Sequence, residues 1–203
     1  MYGLTKETRF SKNLVSCFLN LQQPNVTIQT QGDANRLTSF TSSSGITTTF
    51  EYDSQGRITH RYTAQGYSDY FYNGNSDWLL GEFWHAATSH NTFDLVRYQY
   101  TNGRPSRIEL ASVSPDLQSS SGLTPYYLQY NWHGDVVVWV DSSGGGSNTT
   151  VLTIDPWGVY SSNTFQYYLW NGGWGYMYVS SLNLYYVHGR WYNPDYSVLA
   201  AMT

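Results

Sequence analysis

Tyr130-Asn131-Trp132-His133-Gly134-Asp135-Val136 is the stretch that decides the fold, because it joins two strand-like runs through a turn. The interruption His133-Gly134-Asp135 has the length of a common hairpin loop, and its glycine can adopt a positive φ. Side chains alternate between the two faces of a strand. Tyr130 and Trp132 are therefore predicted to share one face of a β-hairpin with Val136, Val138 and Val140.

Two further aromatic segments follow downstream, and each also ends in a turn. The first is Ile154-Asp155-Pro156-Trp157-Gly158, and the second runs from Leu182 through Tyr185-Tyr186-Val187-His188-Gly189-Arg190-Trp191-Tyr192 to Pro194. The turn residues predicted in this part of the chain are His133, Gly134, Asp135, Asp155, Pro156 and Gly158. The residues predicted to pack within the sheet or between copies are Tyr130, Trp132, Trp139, Tyr185, Tyr186, Arg190, Trp191 and Tyr192.

Upstream, the segment Tyr52-Asp53-Ser54-Gln55-Gly56-Arg57 has the same character. Phe50, Tyr52, Ile58, His60 and Tyr62 are all even-numbered, so a common face is predicted for them. On the opposite face, Glu51 is predicted to form a cross-strand ion pair with Arg57 or Arg61.

Two more degenerate hairpins are predicted between these segments. In one, Asn73-Gly74 is a strong hairpin signal that separates Tyr70 and Tyr72 from Trp78 and Leu80. In the other, Asn102-Gly103 separates Tyr98 and Tyr100 from Ile108 and Leu110. The large side chains of each hairpin are all even-numbered, so a common face is again predicted for them.

Composition gives the fold class. Only 12% of the 203 residues are charged, whereas 18% are aromatic, with 20 tyrosines and 8 tryptophans. Tyrosine, tryptophan and threonine favour pleated, half-buried surface, so we predict an all-β protein. The turn glycines are irregularly spaced, which favours a continuous antiparallel ribbon of unequal hairpins over the fixed blade period of a propeller. A short N-terminal helix is predicted from the spacing of Leu14, Phe18 and Leu21.

Charge and cysteine content limit the partners. The net charge is −4 and no basic run occurs, so a nucleic-acid partner is not expected. Cys17 is the single cysteine, so an intrachain disulfide is impossible. The apolar run Leu14–Leu19 is too short to span a bilayer and lacks a small-residue cleavage pattern, so neither a membrane span nor a standard export signal is expected.

These motifs resemble the Rhs repeat, or YD-repeat, family of bacterial surface and toxin-delivery proteins. Tyr52-Asp53-x-x-Gly56-Arg57 is similar to the repeat unit, and the three segments between Tyr126 and Leu199 resemble the core segment in family order. The resemblance implies a long β-ribbon that spirals into a hollow shell, which in large members encloses a C-terminal toxin. The family's self-cleaving aspartyl module would lie downstream of Leu199, so neither protease nor toxin is expected within these residues.

We expect three regions along the chain. Residues 1–31 are predicted to be a capping or assembly segment, residues 32–125 YD-repeat hairpins, and residues 126–203 core-like hairpins.

No motif predicts catalysis, a metal site or a cofactor. His85, His90 and Asp94 lack the spacing of a helical zinc pair, and no cysteine cluster accompanies them. The acidic residues are scattered, so no carboxylate pair of a glycosidase is indicated.

We therefore expect a non-catalytic structural protein at the cell surface or outside the cell. Charge and proline are scarce, so β-edges are predicted to pair between copies and to build a homo-oligomer, shell, tube or filament. A carbohydrate-binding or adhesion module is one alternative, because tyrosine and tryptophan rings stack on sugars. A piece of a toxin-enclosing cocoon is the other.

Overall fold

The computed structural model describes residues 27–31, 36–42, 44–88, 93–114, 120–142, 148–160, 167–180, 182–196 and 198–200. An eleven-stranded antiparallel sheet dominates the fold, and its strands lie side by side in sequence order. The strands of this large sheet are β1 (Thr27–Gln31), β2 (Arg36–Thr41), β3 (Thr47–Tyr52), β4 (Ile58–Thr63), β5 (Gly66–Tyr72), β6 (Leu79–Ala86), β7 (Phe93–Thr101), β8 (Arg104–Val113), β9 (Ser120–Tyr130), β10 (Val136–Asp141) and β11 (Asn148–Val151).

A second, four-stranded sheet follows in the chain. Its strands are β12 (Met177–Val179), β13 (Leu184–Val187), β14 (Arg190–Asn193) and β15 (Val198–Ala200), also in sequence order. Two short 3-10 turns, Gly172–Trp174 and Pro194–Tyr196, precede β12 and β15 respectively. The predicted all-β ribbon of hairpins is thus confirmed, and the large sheet is open because β1 and β11 do not pair with each other. The predicted N-terminal helix lies outside the described residues.

The small sheet covers one face of the large sheet, and a single core lies between them. Trp191 of β14 packs against Phe50 of β3 with 4.9 Å between ring centroids, and Tyr168 meets Tyr98 of β7 at 5.2 Å. Phe50, Ile58, Tyr98, Ile108 and Trp191 are all buried. Burial of such large rings supplies the main driving force for docking the two sheets.

A β-bulge interrupts the register beside the turn in the hairpins β3–β4, β5–β6, β7–β8 and β9–β10. An extra residue in one strand moves every later side chain of that strand to the other face. Faces predicted from odd and even residue numbers across a turn are therefore correct only where loop length and bulge together keep the alternation.

In the first hairpin the common face predicted for five residues is wrong. Tyr52 lies opposite Ile58, but Phe50 lies opposite Arg61, and His60 lies opposite Glu51 on the outer face. The predicted ion pair of Glu51 with an arginine is wrong for the same reason, since Glu51 contacts His60 at 3.2 Å.

The same displacement occurs in two other hairpins. Leu79, not Leu80, lies opposite Tyr72 and is buried. Val136 lies opposite Tyr130 as expected, whereas Val138 and Val140 face outward with Gln129 and Tyr127. In the third hairpin the prediction is correct, because Tyr98 lies opposite Ile108.

The predicted region boundaries do not separate parts of the large sheet. Residues 27–31 form β1 and pair with β2, and β9 crosses from residue 120 to residue 130 without a break. The division at 31 and 125 stays a prediction about sequence type.

Candidate functional site: the turn edge

The loops after β3, β5, β7 and β9 lie at the same edge of the large sheet, because successive strands run in opposite directions. We call this row of loops, with the loop 155–159 that follows β11, the turn edge. Five glycines that the sequence singled out occupy these loops with positive φ, namely Gly56, Gly74, Gly103, Gly134 and Gly158.

Asp53 organises the first of these loops. Its Oδ1 accepts hydrogen bonds from the backbone N–H of Gln55 and of Arg57, each at 2.9 Å. Its Oδ2 accepts from Arg57 Nε at 2.7 Å. The carboxylate thus satisfies donors that the tight turn would otherwise leave without a partner.

Electrostatics at Asp53 follow from these contacts. Burial acts to raise the pKa of this carboxyl, but the hydrogen bonds and the charge of Arg57 outweigh it and lower the pKa below its ordinary value of 3.8. Asp53 therefore holds the turn as an anion.

The same turn geometry recurs twice. In the loop 155–159, Asp155 Oδ1 accepts from the N–H of Trp157 at 2.8 Å and of Val159 at 2.9 Å. In the loop 131–135, Asn131 takes this role, and its Oδ1 accepts from Gly134 and Asp135. The predicted three-residue loop His133-Gly134-Asp135 is thus a five-residue loop, because the side chain of Asn131 starts the turn.

Asp135 has a different task in that loop. It is buried and accepts hydrogen bonds from Asn131 Nδ2 and from the backbone N–H of Asn171, each at 2.9 Å. His133 Nδ1 lies 3.1 Å from its carboxylate. Asp135 therefore ties the turn to the segment that leads into the small sheet.

The two Asn-Gly turns differ from each other. Asn102 and Gly103 both have left-handed φ, 52° and 78°, as a two-residue hairpin requires. Asn73-Gly74 instead opens a longer loop, in which Asn73 N–H donates to Trp78 O at 2.9 Å.

Two arginines, Arg36 and Arg57, each bind a backbone carbonyl of the next turn along the edge. Arg57 Nη1 donates to the carbonyls of Gly74 and Ser76 at 2.8 and 2.6 Å, while its guanidinium lies 4.6 Å from the centroid of the Tyr72 ring. Arg36 repeats the pattern one hairpin earlier, over Tyr52 and towards the carbonyl of Asp53.

Tyrosines link the hairpins in the opposite direction. Tyr52 donates its hydroxyl to Leu37 O at 2.6 Å, and Tyr100 donates to Leu79 O at 2.9 Å. Tyr130 donates to Pro105 O in the same way. Each of these tyrosines lies at the last or next-to-last residue of its strand and reaches the first part of an earlier strand. In the pair Tyr52-Asp53, the tyrosine thus binds the preceding strand while the aspartate holds its own turn.

The small sheet closes over the turn edge. Tyr186 and Tyr185 donate their hydroxyls to the turn carbonyls of Gly56 and Gly158, at 2.7 and 2.9 Å. Trp191 Nε1 donates to Tyr52 Oη at 3.3 Å, and Tyr192 donates to Trp157 O at 2.7 Å. These four predicted packing residues are all buried inside the chain itself.

The remaining predicted packing residues lie elsewhere. Trp132 is 93% exposed at the tip of its loop, and Arg190 is also exposed. Trp139 is half-buried and meets Tyr126 edge to face at 5.0 Å. Trp132 and Arg190 are thus outside the core, and their role in assembly stays a prediction.

Sequence reasoning missed the buried charges of the sheet. Glu82 accepts from Ser68 Oγ at 2.6 Å and pairs with Arg61 at 3.2 Å, and Glu109 lies between Arg97 and Arg107. Even-number alternation places Glu82 on the face of Tyr70, its cross-strand neighbour, but no sequence pattern indicated that a carboxylate would be buried there.

Nothing within the described ranges brings three or more His, Cys, Asp or Glu side chains together as a metal site. In the same part of the chain, no helix has the length and apolar character needed to cross a bilayer.

Comparison with known proteins agrees with this architecture. The sequence profile of the RHS Repeat family matches residues 33–68, which contain the Asp53 turn. The chain is 26% identical over 163 residues to the tRNA3(Ser)-specific nuclease WapA of Bacillus spizizenii, an alignment that covers 76% of this chain and 6% of that protein.

Solved structures share the fold. The crystal structure of TcdB2-TccC3 superposes with a TM-score of 0.63 at 15% identity, covering 88% of this chain and 9% of that one. A Photorhabdus luminescens Tc holotoxin pore gives a TM-score of 0.63 at 16% identity, with the same coverage of 88% and 9%. The chain thus spans less than a tenth of the length of these proteins.

Proposed function

Because this chain is an Rhs-repeat protein, we propose that it serves as a structural, non-catalytic segment of a β-sheet shell wall. The observation that carries the proposal is the sheet itself, whose eleven strands follow one another in sequence order; among the described residues, no strand pairs with the outer edge of β1 or of β11. Such edges present unpaired N–H and C=O groups that can pair with a neighbouring strand.

The contacts of the buried polar groups support a structural role. Glu82, Glu109 and Asp135 are held by arginines or by loop donors, so their charges stabilise the sheet and its turns. The turn edge has the same character, since its aspartates and tyrosines bind backbone groups. These contacts hold the fold together, which favours a wall over an enzyme.

We further propose that the neighbouring strands come from other copies of the chain, which would form a shell, tube or filament outside the cell or at its surface. β11 offers a defined contact. Leu152 N–H donates inward to Val137 O, so the N–H of Val151 points away from β10, and the Val151 side chain is 72% exposed.

A longer wall around an enclosed polypeptide is the second candidate. It is favoured by the coverage of the comparisons, because the fold of this chain occupies less than a tenth of a TcdB2-TccC3 chain. In that case the open edges would pair with further repeats of one polypeptide.

The test is particle mass. For pairing between copies, light scattering of the purified chain at two concentrations should show a mass above 23.2 kDa that grows with concentration. Val151→Pro removes the outward N–H and should return the protein towards monomer, whereas Val151→Thr keeps the N–H and should still assemble.

The protein in cell extracts provides a second test of the proposed wall function. An antibody against this chain should detect it in cell extracts within particles much larger than 23.2 kDa. If the protein is a free monomer of that mass both when purified and in extracts, the wall function is contradicted, whether the neighbouring strands were to come from other copies or from further repeats of one polypeptide.

A further inference from the structure

A cleft of about 360 Å³ opens beside the core, between the large sheet and β12. One wall carries side chains of β4 to β7, among them Arg61, Glu82, Trp84 and Asp94, and the other carries the rings of Tyr167 and Tyr178. The volume lies in the range of small-molecule sites, roughly 300–1,000 Å³.

Register explains how these groups come together. Arg61 lies opposite Ser68, Ser68 opposite Trp84, and Trp84 opposite Asp94, so one cross-strand row runs over four strands on the core face. The neighbouring row holds Glu82. A polar and aromatic row thus borders the apolar core.

The polar groups of the cleft are held in fixed positions. Arg61 Nη2 donates to Ser68 Oγ at 3.1 Å and to Glu82 Oε1 at 3.2 Å, and Asp94 Oδ1 accepts from Ser112 Oγ at 2.9 Å. The Arg61 guanidinium lies 5.8 Å from the centroid of the Trp84 ring. Because neighbours restrain each group, little side-chain freedom would be lost on binding.

Arg61 also retains an unused donor. Its Nε is buried and meets no acceptor within the described residues. A buried donor without a partner is costly, and a ligand oxygen at this position would remove that cost.

The charges of the cleft disfavour an anionic ligand. Arg61 is neutralised by Glu82, and Asp94 adds a second carboxylate, so the three charged side chains that line the cleft sum to −1. Carboxylates accept hydrogen bonds from hydroxyl groups, a guanidinium donates to hydroxyl oxygens, and aromatic rings pack against apolar C–H faces. A neutral polyhydroxylated ligand matches all three requirements.

We propose that this cleft binds a neutral saccharide, with Trp84 as the stacking ring and Arg61, Glu82 and Asp94 as the hydroxyl-binding groups. The inference is independent of the wall function. The outer face of the sheet is less suited to saccharide binding, because Tyr67 stacks on His85 with 4.2 Å between ring centroids and an interplanar angle of 7°. The ring faces that these two residues turn towards each other are therefore not open to a sugar.

The test uses saturation-transfer NMR and calorimetry on the 203-residue chain with cellobiose, maltose and chitobiose as probes. We expect at least one disaccharide to bind, with a Kd of roughly millimolar order. Trp84→Leu should weaken binding about tenfold or more.

The matched control is Tyr67→Leu, which removes a ring of the outer face and should leave the Kd unchanged within about twofold. Arg61→Lys gives a second reading, since it keeps the charge but loses the Nε–H and should also weaken binding. Circular dichroism checks that each variant is folded. Absence of binding by all three probes, or equal weakening by Trp84→Leu and Tyr67→Leu, would overturn the proposal.

Discussion

Asp53 explains in physical terms why an aspartate follows the tyrosine of the repeat. One carboxylate satisfies two turn N–H groups and fixes the Arg57 side chain, which in turn binds the next loop. Removing it would therefore weaken two neighbouring turns at once.

Asp53→Ala should lower the free energy of unfolding by about 1–3 kcal/mol, because a charged acceptor of several hydrogen bonds is lost. Urea denaturation measures this. Asp155→Ala is the control, since Asp155 makes the same backbone contacts in an exposed loop, and its cost should be smaller. Equal costs would show that Arg57 adds nothing.

The lowered pKa of Asp53 also predicts a pH dependence. A group with a depressed folded-state pKa stabilises the fold above its ordinary pKa of 3.8, and this stabilisation is lost as the pH falls through the folded-state value. The stability difference between wild type and Asp53→Asn should thus be largest near neutral pH and shrink below 3.8. A difference that stays constant with pH would contradict this assignment.

Tyr52 joins three parts of the molecule, since its hydroxyl donates to Leu37 O and accepts from Trp191 Nε1. Tyr52→Phe should cost about 1–2 kcal/mol, because the indole N–H and the carbonyl both lose their partner. Tyr67→Phe on the outer face should cost less, and the two variants can be compared by thermal denaturation. Equal costs would contradict the linking role.

At the scale of the element, the pairing of β5 with β6 depends on Gly66. Its φ is +150°, and a Cβ there would lie 2.1 Å from the backbone oxygen of His85 on β6. Gly66→Ala should therefore destabilise the sheet by about 3 kcal/mol or more, through forced separation of β5 from β6. Gly45→Ala, at a positive φ but with open space around it, should cost only about 1–2 kcal/mol. Similar losses of stability in both variants would show that backbone strain alone, and not the clash with His85, determines the cost.

The positions of the hairpins could be predicted from the sequence, but the faces of their side chains were predicted correctly only for β7–β8. Gly56 and Gly103 mark real turns because a positive φ is a local requirement that one residue type meets. The bulges that place Leu79 inside and Leu80 outside arise from pairing between strands, and no local signal encodes them. The bulge in β3–β4 likewise places Arg61 opposite Phe50 on the core face, which the sequence pattern did not indicate.

Docking of the small sheet was equally beyond the reach of local patterns. Tyr185, Tyr186 and Trp191 stood out as aromatic, but their partners, the carbonyls of Gly158 and Gly56 and the hydroxyl of Tyr52, are far away in the chain. Exposed Trp132 shows the converse, since an aromatic residue in a strand-like run can end at the tip of a loop.

The whole molecule should respond to alkali through its tyrosines. Burial raises the pKa of Tyr52 to about 12 and raises the pKa of Tyr70, Tyr98 and Tyr168 as well. An unfolded chain ionises its phenols near pH 10, so the stability provided by these neutral phenols is complete below pH 10 and is lost as the pH rises towards 12.

Phenolate absorbance followed together with circular dichroism tests this expectation. The exposed tyrosines should ionise first without change of structure, and the buried ones should ionise together with unfolding. A single smooth titration near pH 10 with intact secondary structure would contradict it.

The sequential order of the large sheet has a consequence for how the molecule is made. Every strand finds its partner in the segment synthesised just before it, so only short loops need to close and each completed strand is a template for the next. The ribbon can grow from its first hairpin while the chain is still emerging from the ribosome. The bond from Tyr186 to Gly56 spans 130 residues and can form only afterwards. Docking of the small sheet is then the last folding step, and it takes place on turns that have already formed.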